Sequence, residues 1–86
     1  MNDTLITTTS TRAVSPEDAS KGYTLEELCR LLGCEMIEII SAPHGMILVV
    51  DEEGLLNRKP LNVAASGLAG QPIVGDVLYC AAHHVR

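Results

Sequence analysis

The chain has 86 residues, of which 47% are hydrophobic and 20% charged. This balance fits one folded domain and excludes a disordered chain or an assembly of several domains. Eleven acidic and six basic side chains give a net charge of -5, which disfavours nonspecific binding to DNA or anionic lipid. No apolar run approaches the roughly 20 residues of a membrane-spanning helix, and the first residues lack a secretory signal pattern. We therefore expect a cytoplasmic protein with no membrane contact and no direct DNA binding.

The aromatic content is unusually low, because Tyr23 and Tyr79 are the two aromatic residues and there is no Trp or Phe. The core must come from aliphatic side chains, which at this chain length outweigh the conformational entropy only modestly. Small domains of this kind often gain stability by association, so we expect a homo-oligomer. The lack of aromatic residues also argues against a stacking surface for single-stranded nucleic acid.

The N-terminal part differs in composition from the rest of the chain. Residues 4–11 are rich in threonine, which suits a strand but buries little apolar surface. Residues 15–22 have the composition of a turn and loop. We predict a flexible arm or edge strand over residues 1–20 and a single compact domain over residues 21–86.

The main helix is predicted over residues 24–32. Thr24 is the expected N-cap, and Glu27 three residues later completes a capping box. Gly33 is expected to end the helix, because glycine tolerates the left-handed conformation found there. Apolar residues at helical spacing predict one buried face, made of Leu25, Leu28, Cys29 and Leu32.

Two strands are predicted next, over residues 35–40 and 46–50. The short segment 41–45 between them fits an antiparallel hairpin. The second strand is apolar at every position, which is typical of a strand covered on both faces and lying inside a sheet.

A short second helix is predicted over residues 61–68, with either Pro60 or Asn62 at its start. A last strand is predicted over residues 77–82. The predicted fold is therefore an α+β domain in which one layer of helix covers a small, mainly antiparallel sheet.

The cysteines do not indicate a metal site. Their number is odd, and we expect Cys29, Cys34 and Cys80 to be reduced thiols. Cys29 and Cys34 could be combined with His83 and His84 into a zinc site. However, Cys29 falls on the apolar helix stripe and Cys80 in an apolar strand, where cysteine is usually a small buried hydrophobe. We expect no metal and no cofactor.

No catalytic motif is present either. The chain lacks a nucleophile elbow, a phosphate-binding glycine loop and an HExxH sequence. His44 lies in the predicted hairpin loop with no partner nearby in sequence. We therefore predict a non-enzymatic protein without catalytic residues.

Five blocks in a fixed order resemble the domain-of-unknown-function family numbered three-eight-four-six. The blocks are residues 23–28, Gly33 with 37–38, 47–54, 60–62 and 73–78. The likeness covers residues 23–80, and the sequence departs from it at Asp51, where the family often has Asn, and at Cys34, where it often has Gly. The resemblance implies a small protein of a phage, plasmid or integrative element in a bacterial host. Proteins of such elements frequently counter host defences, which favours a binding or inhibiting role.

The residues suggest a site for a small anionic ligand. Adjacent cations precede a predicted helix start, where unpaired N–H groups attract anions. The candidate ligand-binding residues are Asn57, Arg58, Lys59, Asn62 and Ser66. With the mobile-element context, this predicts sequestration of a nucleotide-type immune signal. The simpler interpretation is that Arg58 and Lys59 are a solvated pair balancing the acids before them.

An alternative prediction is an acidic protein inhibitor that mimics nucleic acid and blocks a host nuclease, CRISPR or restriction complex. Its candidate protein contacts are Asp51, Glu52 and Glu53, and other acids lie in or near the first helix and strand. Opposite charges would speed such association. A second alternative is an accessory module without a role in defence.

Overall fold

The computed structural model describes residues 3–86, so any expectation about Met1 and Asn2 lies outside the described residues. Its elements are β1 (Asp3–Ile6), β2 (Thr11–Val14), α1 (Leu25–Leu32), β3 (Ile37–Ser41), β4 (Met46–Asp51), α2 (Val63–Ala69) and β5 (Val77–Ala81). The strands form one antiparallel sheet in the order β2-β1-β5-β4-β3. The predicted α+β class is confirmed. Neither helix is long and apolar enough to cross a bilayer.

The N-terminal segment contributes an inner strand to the sheet, which differs from the prediction. β1 lies between β2 and β5, with Leu5 opposite Arg12 on one side and Leu78 on the other. Leu5 and Ile6 are buried, one in the core on each face of the sheet. The expectation of a flexible arm or edge strand is therefore wrong for β1. The predicted division at residue 20 would separate β1 and β2 from the other three strands of the same sheet. The edge-strand alternative describes β2.

The hairpin of β3 and β4 forms as predicted. Ile39 lies opposite Val49, and a short 3₁₀ turn over Pro43–Gly45 joins the strands. β4 is buried along most of its length and lies between β3 and β5, which confirms that it is an inner strand. Its side chains alternate between the two faces, as the pleat requires.

The ends of α1 follow the predicted capping chemistry. The Thr24 hydroxyl accepts the N–H of Glu27 at 3.1 Å, and the Glu27 carboxylate accepts the N–H of Thr24 at 3.1 Å. Gly33 ends the helix with φ at 63°, in the left-handed region. The helix therefore begins and ends where local sequence predicts, through groups that satisfy its free backbone ends.

The buried face of α1 is partly different from the prediction. Leu28 and Leu32 are buried in the core, but Leu25 is 61% exposed. In the first turn of α1 the buried side chain is that of Glu27, whose carboxylate also accepts the N–H of Glu17 at 3.0 Å. The prediction that Leu25 is buried is therefore wrong, since polar contacts of the preceding loop occupy that side.

The two helices cover opposite faces of the sheet. Leu28 of α1 packs in one cluster with Val49, whereas Ala65 of α2 packs in another with Leu48 and Val50. Val49 lies between Leu48 and Val50 in a strand, so the two clusters must face opposite ways. The expected single helix layer is therefore wrong. A strand that is apolar on both faces requires cover on both.

The C-terminal segment lies tightly against Gly22. The N–H of Tyr23 donates to the carbonyl of His84 at 2.7 Å, and the N–H of Arg86 donates to the carbonyl of Tyr23 at 3.0 Å. Gly22 has φ at 84°, and a Cβ atom there would overlap the His84 carbonyl. This is a position where both conformation and space require glycine.

Replacing Gly22 with alanine is expected to lower the free energy of unfolding by about 2 kcal/mol or more, because strain and overlap add. The matched control is Gly67→Ala at an exposed position of α2, where no atom outside the helix's own backbone and the adjacent residues lies within 4 Å of the new Cβ. That change is expected to stabilise by roughly 0.5–1 kcal/mol, as alanine does in a helix interior. Urea unfolding of both variants measures the difference. Equal stability of Gly22→Ala and the parent chain would contradict the close approach.

Candidate functional site

Lys59, one of the predicted ligand-binding residues, is engaged inside the protein. Its ammonium lies 2.8 Å from the Asp51 carboxylate. It also donates to the carbonyls of Leu32 at 2.9 Å and Gly33 at 3.1 Å, at the C-terminal end of α1. A cation at this end satisfies free carbonyls and complements the helix dipole. Lys59 thus joins the segment after β4 to the end of α1.

Asp51 is the buried centre of this arrangement, with its side chain 1% exposed. Burial acts to raise the pKa of its carboxyl, but Lys59, the N–H of Glu53 at 2.9 Å and the amide of Asn57 at 3.4 Å outweigh burial. The pKa of Asp51 is lowered as a result. Asp51 is therefore an ionised internal partner of Lys59.

Asn62 and Ser66 also make internal contacts. Asn62 is fully buried; its side-chain oxygen accepts the N–H of Ala65 at 3.1 Å and caps α2. Its amide donates to the carbonyls of Ile6 at 2.9 Å and Gly75 at 2.8 Å. The Ser66 hydroxyl accepts the N–H of Ile73 at 2.8 Å. These residues hold α2 and the following loop against the sheet.

The other two predicted ligand-binding residues are exposed. Arg58 has φ at 55° and lies in the turn after β4, and Asn57 precedes it. Lys59, Asn62 and Ser66 thus have internal partners, whereas Arg58 and Asn57 lie at the surface, although the Asn57 amide also makes the long contact with Asp51. Binding of an anionic ligand by this set stays a prediction.

Asn57 also lines a cleft of about 530 Å³ beside the C-terminal end of α1. The cleft is lined by Cys29, Arg30, Gly33, Cys34, Glu35, Glu53 and Asn57. Arg30 pairs with Glu17 at 3.3 Å, so the cleft carries more negative than positive charge available to a ligand. Among residues 3–86, no three His, Cys, Asp or Glu side chains are grouped to hold a metal ion.

A smaller depression of about 190 Å³ lies on the sheet face that α2 covers, since Val50 and Ile73 in its lining pack in the same cluster as Ala65. We call it the acidic groove; its lining includes Glu38, Ile40, Val50, Asp51, Glu52, Leu55 and Ile73. Val50 and Ile73 are buried and Ile40 half-buried, which makes part of the lining apolar. Glu38 and Glu52 are exposed, and Leu55 is 82% exposed. The groove combines buried apolar surface with two accessible carboxylates.

The three candidate protein-contact acids do not share one exposed surface. Asp51 and Glu52 both line the acidic groove, but the Asp51 side chain is buried against Lys59, whereas Glu52 is exposed. Glu53 lines the cleft beside α1. Glu38, which comes from β3, is the other exposed acid of the groove.

A buried polar network was missed by the sequence analysis. The Tyr23 hydroxyl donates to one oxygen of Asp3 at 2.8 Å, and the Nδ1 atom of His84 lies 2.8 Å from the other. Burial and this contact with Asp3 raise the pKa of Tyr23 above its ordinary range. The network ties β1 to the C-terminal segment. Asp3 and His84 lie 81 positions apart, so no local pattern connects them.

The geometry defines a small α+β domain with a helix on each face of an antiparallel sheet and an acidic groove on one face. Residues 3–85 match the family described as Domain of unknown function (DUF3846), and the chain belongs to this family. The resemblance inferred from the five sequence blocks is therefore confirmed, and the match also includes β1 and β2. No curated protein and no solved structure matches the chain.

Proposed function

We propose that this protein is a non-enzymatic binding protein that takes a basic segment of a partner protein in the acidic groove. The observation that carries the proposal is the pairing of buried Val50 and Ile73 with exposed Glu38 and Glu52 in one depression. Lysine and arginine have apolar stems and charged heads, so they match such a surface in both respects.

The overall charge supports the same class of partner. A net charge of -5 attracts a positively charged surface over a distance and raises the rate of association at low salt. It also repels nucleic acid. Exposed Leu55 beside the carboxylates supplies apolar contact area once a partner is bound.

The biological role that we propose is inhibition of a host defence complex by a phage or mobile-element protein in the bacterial cytoplasm. The basic nucleic-acid channel of a nuclease, CRISPR or restriction complex presents the lysine and arginine side chains that the acidic groove fits. The genomic context implied by the family resemblance supports this role. Homo-oligomer formation stays a prediction, for which Leu61 and Val63, both more than half exposed, supply apolar surface.

Sequestration of a nucleotide-type signal is the other candidate, and it has less support from the geometry. Its site would use Arg58 and Asn57, because Lys59, Asn62 and Ser66 already have internal partners. An accessory module without a defence role is the remaining alternative. The binding experiment below separates these possibilities.

The test is a titration with a synthetic peptide of alternating lysine and leucine, followed by nuclear magnetic resonance. The variant Glu38→Gln/Glu52→Gln changes the groove, and the matched control Glu26→Gln/Glu35→Gln changes two other exposed acids. Both variants bring the net charge from -5 to -3, since each removes two negative charges. We expect shifts at the acidic groove and a roughly tenfold loss of affinity, about 1.4 kcal/mol, in the groove variant alone.

Equal losses in both variants would overturn the proposal, because net charge alone would then explain binding. A lack of peptide binding together with shifts around Arg58 on adding cyclic nucleotides would favour signal sequestration instead. For the defence role, the same two variants are compared as inhibitors of DNA binding by purified restriction and CRISPR complexes. The groove variant is expected to lose inhibition and the control to keep it.

A further inference from the structure

Cys29 and Cys34 are brought together by the way α1 ends. Gly33 turns the chain in the left-handed conformation, and the N–H of Cys34 donates back to the carbonyl of Cys29 at 3.0 Å. In this type of helix end, the side chains at these two positions meet and usually form an apolar contact. Here the two side chains are thiols.

The surroundings of the two thiols keep them in reach of small reagents. Both are half-buried and line the cleft of about 530 Å³ beside α1, whereas Cys80 is fully buried in the core. Burial, together with the charge and hydrogen bond of the neighbouring Cys29 thiol, raises the pKa of Cys34 to about 11. The Cys29 thiol also donates to the carbonyl of Glu35 at 3.5 Å, so it points towards the segment that carries Cys34.

We propose that Cys29 and Cys34 are a redox-active dithiol that closes to an intramolecular disulfide across the end of α1. The turn at Gly33 brings the two residues next to each other, since a backbone hydrogen bond joins them, and a disulfide requires such a close approach of its two backbones. Lys59 secures the same turn by its bonds to the carbonyls of Leu32 and Gly33.

The oxidant is a low-molecular-weight disulfide such as glutathione disulfide. The Cys29 thiolate attacks one sulfur of the reagent, forms a mixed disulfide and displaces one glutathione thiolate. Cys34 then gives its proton to water and attacks the Cys29 sulfur, which releases the second glutathione thiolate. Two electrons pass from the dithiol to the reagent. We assign the first attack to Cys29 because burial and the neighbouring thiol raise the pKa of Cys34 and so disfavour its thiolate.

The experiment treats the full chain with excess glutathione disulfide and follows it by mass spectrometry and alkylation with iodoacetamide. We expect a product two hydrogens lighter, in which a single peptide links Cys29 and Cys34 and Cys80 remains a thiol. Closure should accelerate as the pH rises from neutral towards the pKa of Cys34. The variant Cys34→Ser is expected to stop at the mixed disulfide on Cys29.

Other products would overturn the proposal. A mixed disulfide that persists in the parent chain would show that the two sulfur atoms do not meet. A bond that includes Cys80, or a chain that keeps all three thiols after prolonged incubation, would do the same. None of these results depends on the acidic groove, so the dithiol proposal and the proposed function are tested independently.

Discussion

Replacing Lys59 with alanine is expected to lower the free energy of unfolding by about 2–3 kcal/mol at neutral pH. The change leaves the Asp51 carboxylate buried without its cation and removes two hydrogen bonds from the end of α1. We expect a smaller loss of stability than is usual for a fully buried ion pair, because the Lys59 side chain is 20% exposed. Urea unfolding at pH 7 measures the effect.

The pH dependence of this variant identifies Asp51 as the cause. The folded-state pKa of Asp51 is lowered from 3.8, so its contribution to stability is complete above that value and is lost as the pH falls through the folded pKa. Without Lys59 the carboxyl protonates more readily. The stability difference between the parent chain and Lys59→Ala should therefore shrink on acidification.

Arg58→Ala is the control, because it removes the neighbouring positive charge from an exposed turn. It is expected to change stability by no more than about 0.5 kcal/mol. If Lys59→Ala were as harmless as Arg58→Ala, the ion pair with Asp51 would not be contributing to the fold. The same two variants also test the alternative in which the protein binds a nucleotide-type signal, because that alternative requires Arg58 for affinity.

Replacing Asn62 with alanine is expected to have an effect of similar size, about 3 kcal/mol. The change removes the cap of α2, worth about 1 kcal/mol, and leaves the buried carbonyls of Ile6 and Gly75 without a donor. The loss is large compared with the total stability of a small domain, roughly 5–15 kcal/mol. Thermal and urea unfolding should both show it.

Asn57→Ala is the matched control for this second prediction. Asn57 is exposed, and its bond to Asp51 is long at 3.4 Å, so a change within about 0.5 kcal/mol is expected. A parent-like stability of Asn62→Ala would mean that water replaces the buried amide, and the structural role assigned to Asn62 would fail. Both asparagines were candidates for ligand contact, and only Asn57 remains accessible for it.

Local features of the fold could be predicted from the sequence because their partners are near in the chain. The capping box of Thr24 and Glu27 and the left-handed Gly33 depend on residues within one or two turns. The inner position of β4 follows from its own sequence, which is apolar on both faces of the strand. These elements are specified by neighbouring residues, so a single sequence is enough to identify them.

Features that depend on distant segments were missed. Lys59 bonds to carbonyls 26 and 27 positions away, and Asp3 meets His84 across 81 positions. The acidic groove is likewise assembled from β3, β4, the turn after β4 and the loop before β5. The sequence shows which residues are polar, but which of them pair depends on how the strands and helices assemble. The sequence therefore shows that Lys59 is charged, but it does not show that Lys59 pairs with Asp51 and with the end of α1.

The position of β1 beside β5 has a consequence for the newly made chain on the ribosome. β1 can pair with β2 as soon as both emerge, but its other side must wait for Val77–Ala81, which is translated last among the strands. Until then the nascent hairpin carries an open row of peptide groups with Leu5 and Ile6 uncovered. Long-range closure of this kind slows folding and leaves an interval in which chaperones or neighbouring polysomal chains compete for the same strand.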